Sequence, residues 1–180
     1  INFKNINLNK TKFVSSNKFS FVIDKRYNFK NIFLNSEISI DKFEYKKPDL
    51  IENYFLNIKD FILFKNHKFN LLYKNKNLSI QGEGEIYLDE ESDKIKYIIS
   101  KKKKDLVVNT ELLLKKINLK KKDLLEIYFP DINDKINLQN HNIKIKYFKN
   151  NLSLAGSGKI KIDKNFEEIN NIFKKKDKLI

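Results

Sequence analysis

The sequence predicts a mainly β protein: an extended, curved antiparallel sheet built from tandem units of about 74 residues. Two observations predict it. Branched or aromatic residues recur at every second position over most of the chain, which gives each strand one apolar and one polar face. The segment 33–106 also returns without a gap as 107–180, so that Asn35-Ser36-Glu37-Ile38 reappears as Asn109-Thr110-Glu111-Leu112. The longest match joins Asn66-His67, Tyr73 and Asn77-Leu78-Ser79-Ile80 to Asn140-His141, Tyr147 and Asn151-Leu152-Ser153-Leu154. A fixed period of this size marks a modular array in which one unit completes its apolar face by stacking on the next.

In chain order, residues 1–32 read as the end of a preceding, degenerate copy. Phe19, Phe21 and Ile23 alternate there much as Ile95, Tyr97 and Ile99 do, and a chain that starts at Ile1 without methionine reads as a piece of a longer protein. In each unit the pattern predicts strands near 33–40, 57–65, 67–74, 77–89, 94–101 and 105–114, the last entering the second unit. The polar connectors Lys74-Asn75-Lys76-Asn77 and Phe148-Lys149-Asn150-Asn151 lead straight into the next alternation, as hairpin turns do. Between strands, Leu50, Ile51, Tyr54 and Phe55 have the spacing of one apolar helical face, with Asp49 near its start. This short piece and its copy from Asp123 to Phe129, stopped by Pro130, are expected at the rim of the sheet.

The four glycines pair across the two units, Gly82 with Gly156 and Gly84 with Gly158. Each shares the apolar parity of its strand, with Leu78, Ile80, Ile86 and Leu88 in one copy and Leu152, Leu154, Ile160 and Ile162 in the other. Two glycines on one face remove bulk and let a strand bend, so the sheet is expected to curl into a trough with an apolar floor. The alternative is a packing notch beneath a covering segment. No third glycine or following helix makes this a phosphate loop.

Composition narrows the function. The 180 residues carry a formal charge of +14, and 41% hydrophobic content is enough to bury a core. Such a charge points to nucleic acid or an anionic surface. Yet Arg26 is the one arginine, and abundant lysine, asparagine and isoleucine reflect AT-rich codons, so nucleic acid is not the expected partner. There is no cysteine, hence no disulfide or thiolate metal site, and no apolar run of membrane-spanning length or signal peptide. His67 and His141, each after an asparagine, read as turn-capping residues before a strand; two histidines without further ligands do not make a metal site. Lys101-Lys102-Lys103-Lys104 reads as a solvated hairpin loop, able to meet anionic headgroups. Phe61, Phe64, Phe69 and Tyr73 read as core or groove lining rather than base-stacking residues. No nucleophile, base and orienting group occur together, so the chain is read as a non-enzyme without cofactor.

The frame Tyr73, Asn77-Leu78-Ser79-Ile80, Gly82, Gly84, Ile86 and Asp93-Lys94-Ile95, echoed from Tyr147 to Ile160, resembles the repeats of the AsmA-like superfamily, which includes the YhdP and TamB types. The resemblance implies a taco-shaped β-groove in the periplasmic part of an inner-membrane-anchored envelope protein. It also implies passage of phospholipid between inner and outer membrane along a hydrophobic trough. On that reading Leu78, Ile80, Gly82, Gly84, Ile86, Leu88, Ile95 and Val108 line the groove, with Leu152, Leu154, Gly156, Gly158, Ile160, Ile162 and Ile169 in the second unit. Its partners are phospholipid acyl chains and neighbouring repeats, with membranes reached through parts outside this segment. Acyl chains are held by burial alone, about 0.8 kcal/mol per CH₂, and need no catalytic group. The alternatives are a basic β-module for nucleic acid or another polyanion, and a purely structural β-repeat.

Overall fold

A computed structural model describes residues 5–48, 58–89, 91–103, 105–120, 135–149, 151–162 and 165–176. They form one open, curved antiparallel sheet of ten strands. The strands are β1 (Ile6–Asn7), β2 (Phe13–Ile23), β3 (Phe29–Lys46), β4 (Phe61–Lys74), β5 (Asn77–Tyr87), β6 (Asp93–Lys102), β7 (Asp105–Lys120), β8 (Lys135–Phe148), β9 (Asn151–Ile162) and β10 (Asn165–Lys176). From β3 to β10 each strand pairs with the next in sequence, while β1 and β2 both pair with the other edge of β3. Strands β4 and β8 are offset by 74 residues at both ends, and β5 and β9 begin 74 residues apart. The segments expected to be helical, 48–55 and 123–129, fall almost wholly on residues outside the described ones.

The expected hairpin after β4 is present: Lys74 pairs with Asn77, and both residues between them, Asn75 and Lys76, have positive φ (50° and 62°). That is the geometry of a two-residue turn whose twist matches the flanking strands. The expected break at residue 66 is absent. Strand β4 runs through it, and the register with β5 shifts between Lys65 and Lys68. A matching shift occurs in β8 against β9 between Gln139 and Asn142. At each, an asparagine is left-handed, Asn66 and Asn140 both at φ 52°, a conformation asparagine tolerates better than most residues. The extra residue turns the next side chain, a histidine, onto the apolar face.

Strand β2 occupies a place beside β3 like that of β6 beside β7, with its spacing slipped against that copy. Phe19 pairs with Leu34 as Ile99 pairs with Val108, so Phe19 stands where Ile99 does and not where Ile95 does. Phe21 and Ile23 then run past the body of the sheet.

Following the pairs from β4 to β9 puts Leu71, Ile80, Ile99, Val108, Tyr147 and Leu152 in one row across the sheet. The next row on that face is Phe69, Gly82, Tyr97, Thr110, Ile145 and Leu154. The buried core, Ile62, Ile86, Leu88, Leu114, Ile117, Ile136 and Leu138, lies on this face toward the end of the sheet away from the β4–β5 and β6–β7 turns. Asp93 is buried there too; it accepts a 2.8 Å hydrogen bond from the Lys115 backbone N–H, and burial raises its pKa.

Candidate functional site

The sequence-selected groove residues do share one face. Among those whose side chains are described, Ile86 and Leu88 are buried in the core, and Leu78, Ile80, Ile95, Val108, Leu152, Leu154, Ile160 and Ile169 are half-buried. Ile162 lies in β9, with its side chain outside the described set.

The glycines on that face are largely filled positions. A methyl group on Gly82 would stand 2.7 Å from Phe69 Cβ and from the Tyr97 ring. On Gly84 it would run into the His67 ring, and on Gly158 into the His141 ring. Gly156 differs, with its nearest neighbour, Ile143, at 3.9 Å. None of the four has positive φ, so close approach rather than backbone freedom demands glycine at three of them.

Both histidines are therefore interior residues and not turn caps. His67 is 2% exposed and sits over Gly84 between Phe43, Phe64 and Tyr97, with ring centroids 5.3, 5.4 and 6.1 Å away. Its Nε2 lies 3.1 Å from the Glu85 carbonyl, which only accepts, so Nε2 carries the proton and Nδ1 is left to accept from Tyr97 Oη at 3.5 Å. His141 takes the other tautomer. Its Nδ1 donates to the Gln139 carbonyl at 3.2 Å, and its buried Nε2 has no hydrogen-bond partner. Burial lowers the pKa of both rings and raises that of the Tyr97 hydroxyl. Among the described residues no three His, Asp or Glu side chains converge as a metal site.

An open trough among the described residues lies on the opposite, polar face. It has a volume of ≈ 950 Å³ and crosses from β2 to β8 between two rows of side chains. One row is Lys68, Glu83, Lys96, Glu111 and Lys144, each the register partner of the next on neighbouring strands. Lys96 and Glu83 approach to 3.3 Å, and Lys144 and Glu111 to 3.8 Å. The other row is Glu37, Asn70, Gln81, Ile98, Asn109 and Lys146. On the apolar face, aromatic and imidazole rings occupy the space that Gly82, Gly84 and Gly158 leave. Sequence reasoning missed the charge ladder, since its members are dispersed in sequence and only the strand register aligns them.

No known protein family, curated protein or solved structure matches the chain. The AsmA-like resemblance thus stands on the residues quoted for it. The molecule has one apolar face, half-buried away from its core, and one polar face whose trough carries alternating lysines and glutamates.

Proposed function

We propose that this chain is a segment of a bridge-like lipid carrier, a curved sheet of tandem 74-residue units whose apolar face holds phospholipid acyl chains. The observation that carries the proposal is the row Leu71, Ile80, Ile99, Val108, Tyr147 and Leu152, half-buried, apolar and uninterrupted across six strands. Acyl chains would lie against this row, toward the turn-bearing end of the strands, where the core does not fill the face. The polar face with its Lys–Glu ladder would look to water. On this reading the segment belongs to the periplasmic part of an envelope protein anchored in the inner membrane.

The ladder weakens the polyanion alternative. The lysines of the trough alternate with glutamates, so little net charge is left there to neutralise phosphates. A purely structural sheet is the second reading, favoured by the filled notches at Gly82, Gly84 and Gly158. The two separate by photocrosslinking: a reactive residue at Ile80 captures phospholipid and one at Gln81, on the other face, does not. Absence of adducts at Ile80 in lipid-replete cells makes the structural sheet correct.

A further inference from the structure

We propose that the β2–β3 hairpin and the basic rim beside it form a docking surface for an anionic lipid bilayer. The turns β4–β5, β6–β7 and β8–β9 lie at the same end of the sheet as the β2–β3 turn, as an antiparallel meander requires. The first three end nearly in line, where Phe33 pairs with Lys74, Lys74 with Asn77, and Lys102 with Asp105. The β2–β3 hairpin does not stop there. Its pairing continues through Val22 with Lys30 and Ile23 with Phe29, with no other strand beside it among the described residues. About four further residues per strand project it roughly 13 Å beyond the line of the other turns.

The projecting part carries exposed apolar side chains. Phe21, Val22, Ile23 and Phe29 are 41%, 51%, 51% and 61% exposed, and Tyr27 at the tip is 88% exposed. Phe21 packs between Phe19 and Phe29 with ring centroids 5.3 and 5.1 Å apart, so the aromatic side chains form one cluster. The tip is rigid. Asp24 accepts from the backbone N–H groups of Arg26 and Asn28 at 2.8 and 3.0 Å and pairs with Lys30 at 3.0 Å, and these contacts, led by Asn28, hold its pKa down to about 2. Lys25 and Arg26 are exposed beside it.

Behind the hairpin, the aligned turns expose Lys74, Lys76, Lys102, Lys103 and Lys149. The acid among them, Asp105, faces Lys149 at 3.9 Å, so the rim is net positive. Aromatic tips that enter the headgroup layer, with lysines that stay at its surface, are how proteins hold to anionic membranes. Val22 and Ile23 would gain nothing from a nucleic-acid phosphate, and the hydrophobic cluster is why a bilayer fits better than a soluble polyanion. No helix among the described residues is long and apolar enough to cross a membrane. The inference is independent of the lipid-carrying proposal, which concerns the face of the sheet and not its end.

The chain has no tryptophan, so one introduced tryptophan is a clean reporter. Phe21→Trp and Tyr27→Trp are titrated with vesicles of phosphatidylcholine and phosphatidylglycerol, three to one, with Ile98→Trp in the polar trough as control. A blue shift and quenching by brominated acyl chains are expected for the first two and not for the control. The double change Phe21→Ser, Phe29→Ser should weaken vesicle binding by about tenfold. No vesicle binding overturns the proposal. So does binding without a blue shift in either hairpin variant, displaced equally by an oligonucleotide, which would mark a polyanion surface.

Discussion

The bulges at Asn66-His67 and Asn140-His141 follow the same backbone path, each with asparagine at φ 52° and a buried imidazole laid over a glycine of the next strand. Their surroundings differ. His67 meets Phe43, Phe64 and Tyr97 and has a hydrogen-bond partner for both ring nitrogens. At the positions 74 residues on, the sequence has Ile117, Leu138 and Asn171, and His141 keeps one partner, the carbonyl two residues before it. The backbone bulge and the glycine are thus what the local geometry needs. The aromatic box draws on neighbouring strands through Phe43 of β3 and Tyr97 of β6, whereas the tautomer of His141 is set within its own strand by the Gln139 carbonyl.

The largest effect expected from testing that comparison is at the glycines. Gly84→Ala and Gly158→Ala each drive a methyl group into an imidazole ring and should cost about 2–3 kcal/mol. Gly156→Ala, whose methyl group would meet Ile143 at an ordinary 3.9 Å, should be neutral or slightly stabilising, by roughly 0.5 kcal/mol. Urea unfolding of the three variants measures this, and equal losses at all three positions would show that bending, not ring clearance, requires glycine.

Next are the rings themselves. His67→Leu strands the Tyr97 hydroxyl and the Glu85 carbonyl and should cost about 1–3 kcal/mol. His141→Leu removes a nitrogen that has no partner and should cost less or even stabilise. A larger loss at His141 would mean that its Nε2 serves a ligand.

The pH dependence follows from the same burial. Both histidines have folded pKa values below the ordinary 6.5, so below that pH the unfolded chain takes up protons that the folded sheet refuses. Stability should be full above about pH 6.5 and fall as the pH drops from there toward the folded values. The urea midpoint against pH shows the slope, and His141→Leu should make it shallower.

The smallest effect separates the turns. Lys76 holds φ 62° at the second position of its hairpin turn, where glycine carries no steric penalty, so Lys76→Gly should stabilise by about 0.5 kcal/mol. A rise in melting temperature checks it.

Parts of this were legible in the residues. The strands from β4 to β9 and the turn at Asn75-Lys76 follow from alternation and polar connectors, signals that act within a few residues. The bulge was half legible. Apolar parity switches from Ile62 and Phe64 to Phe69 and Leu71 across Asn66, which reads equally as two strands or as one strand with an extra residue. A left-handed asparagine followed by a buried histidine decides for the second, and that needs the pairing with β5. The register of β2 was not legible for a similar reason. Phe19, Phe21 and Ile23 show the period but not their offset, which only hydrogen bonding to β3 fixes.

The sequence by itself determined a mainly β chain, its alternating faces, its turns and the 74-residue correspondence, because side-chain period and turn chemistry are local. The tertiary structure alone decided that the trough opens on the polar face, that the histidines fill the glycine notches and that one aromatic hairpin overreaches the rest. Each depends on which residues stand opposite one another across strands, and a one-residue shift in register, such as the bulge at Asn66, moves a side chain to the other face of the sheet.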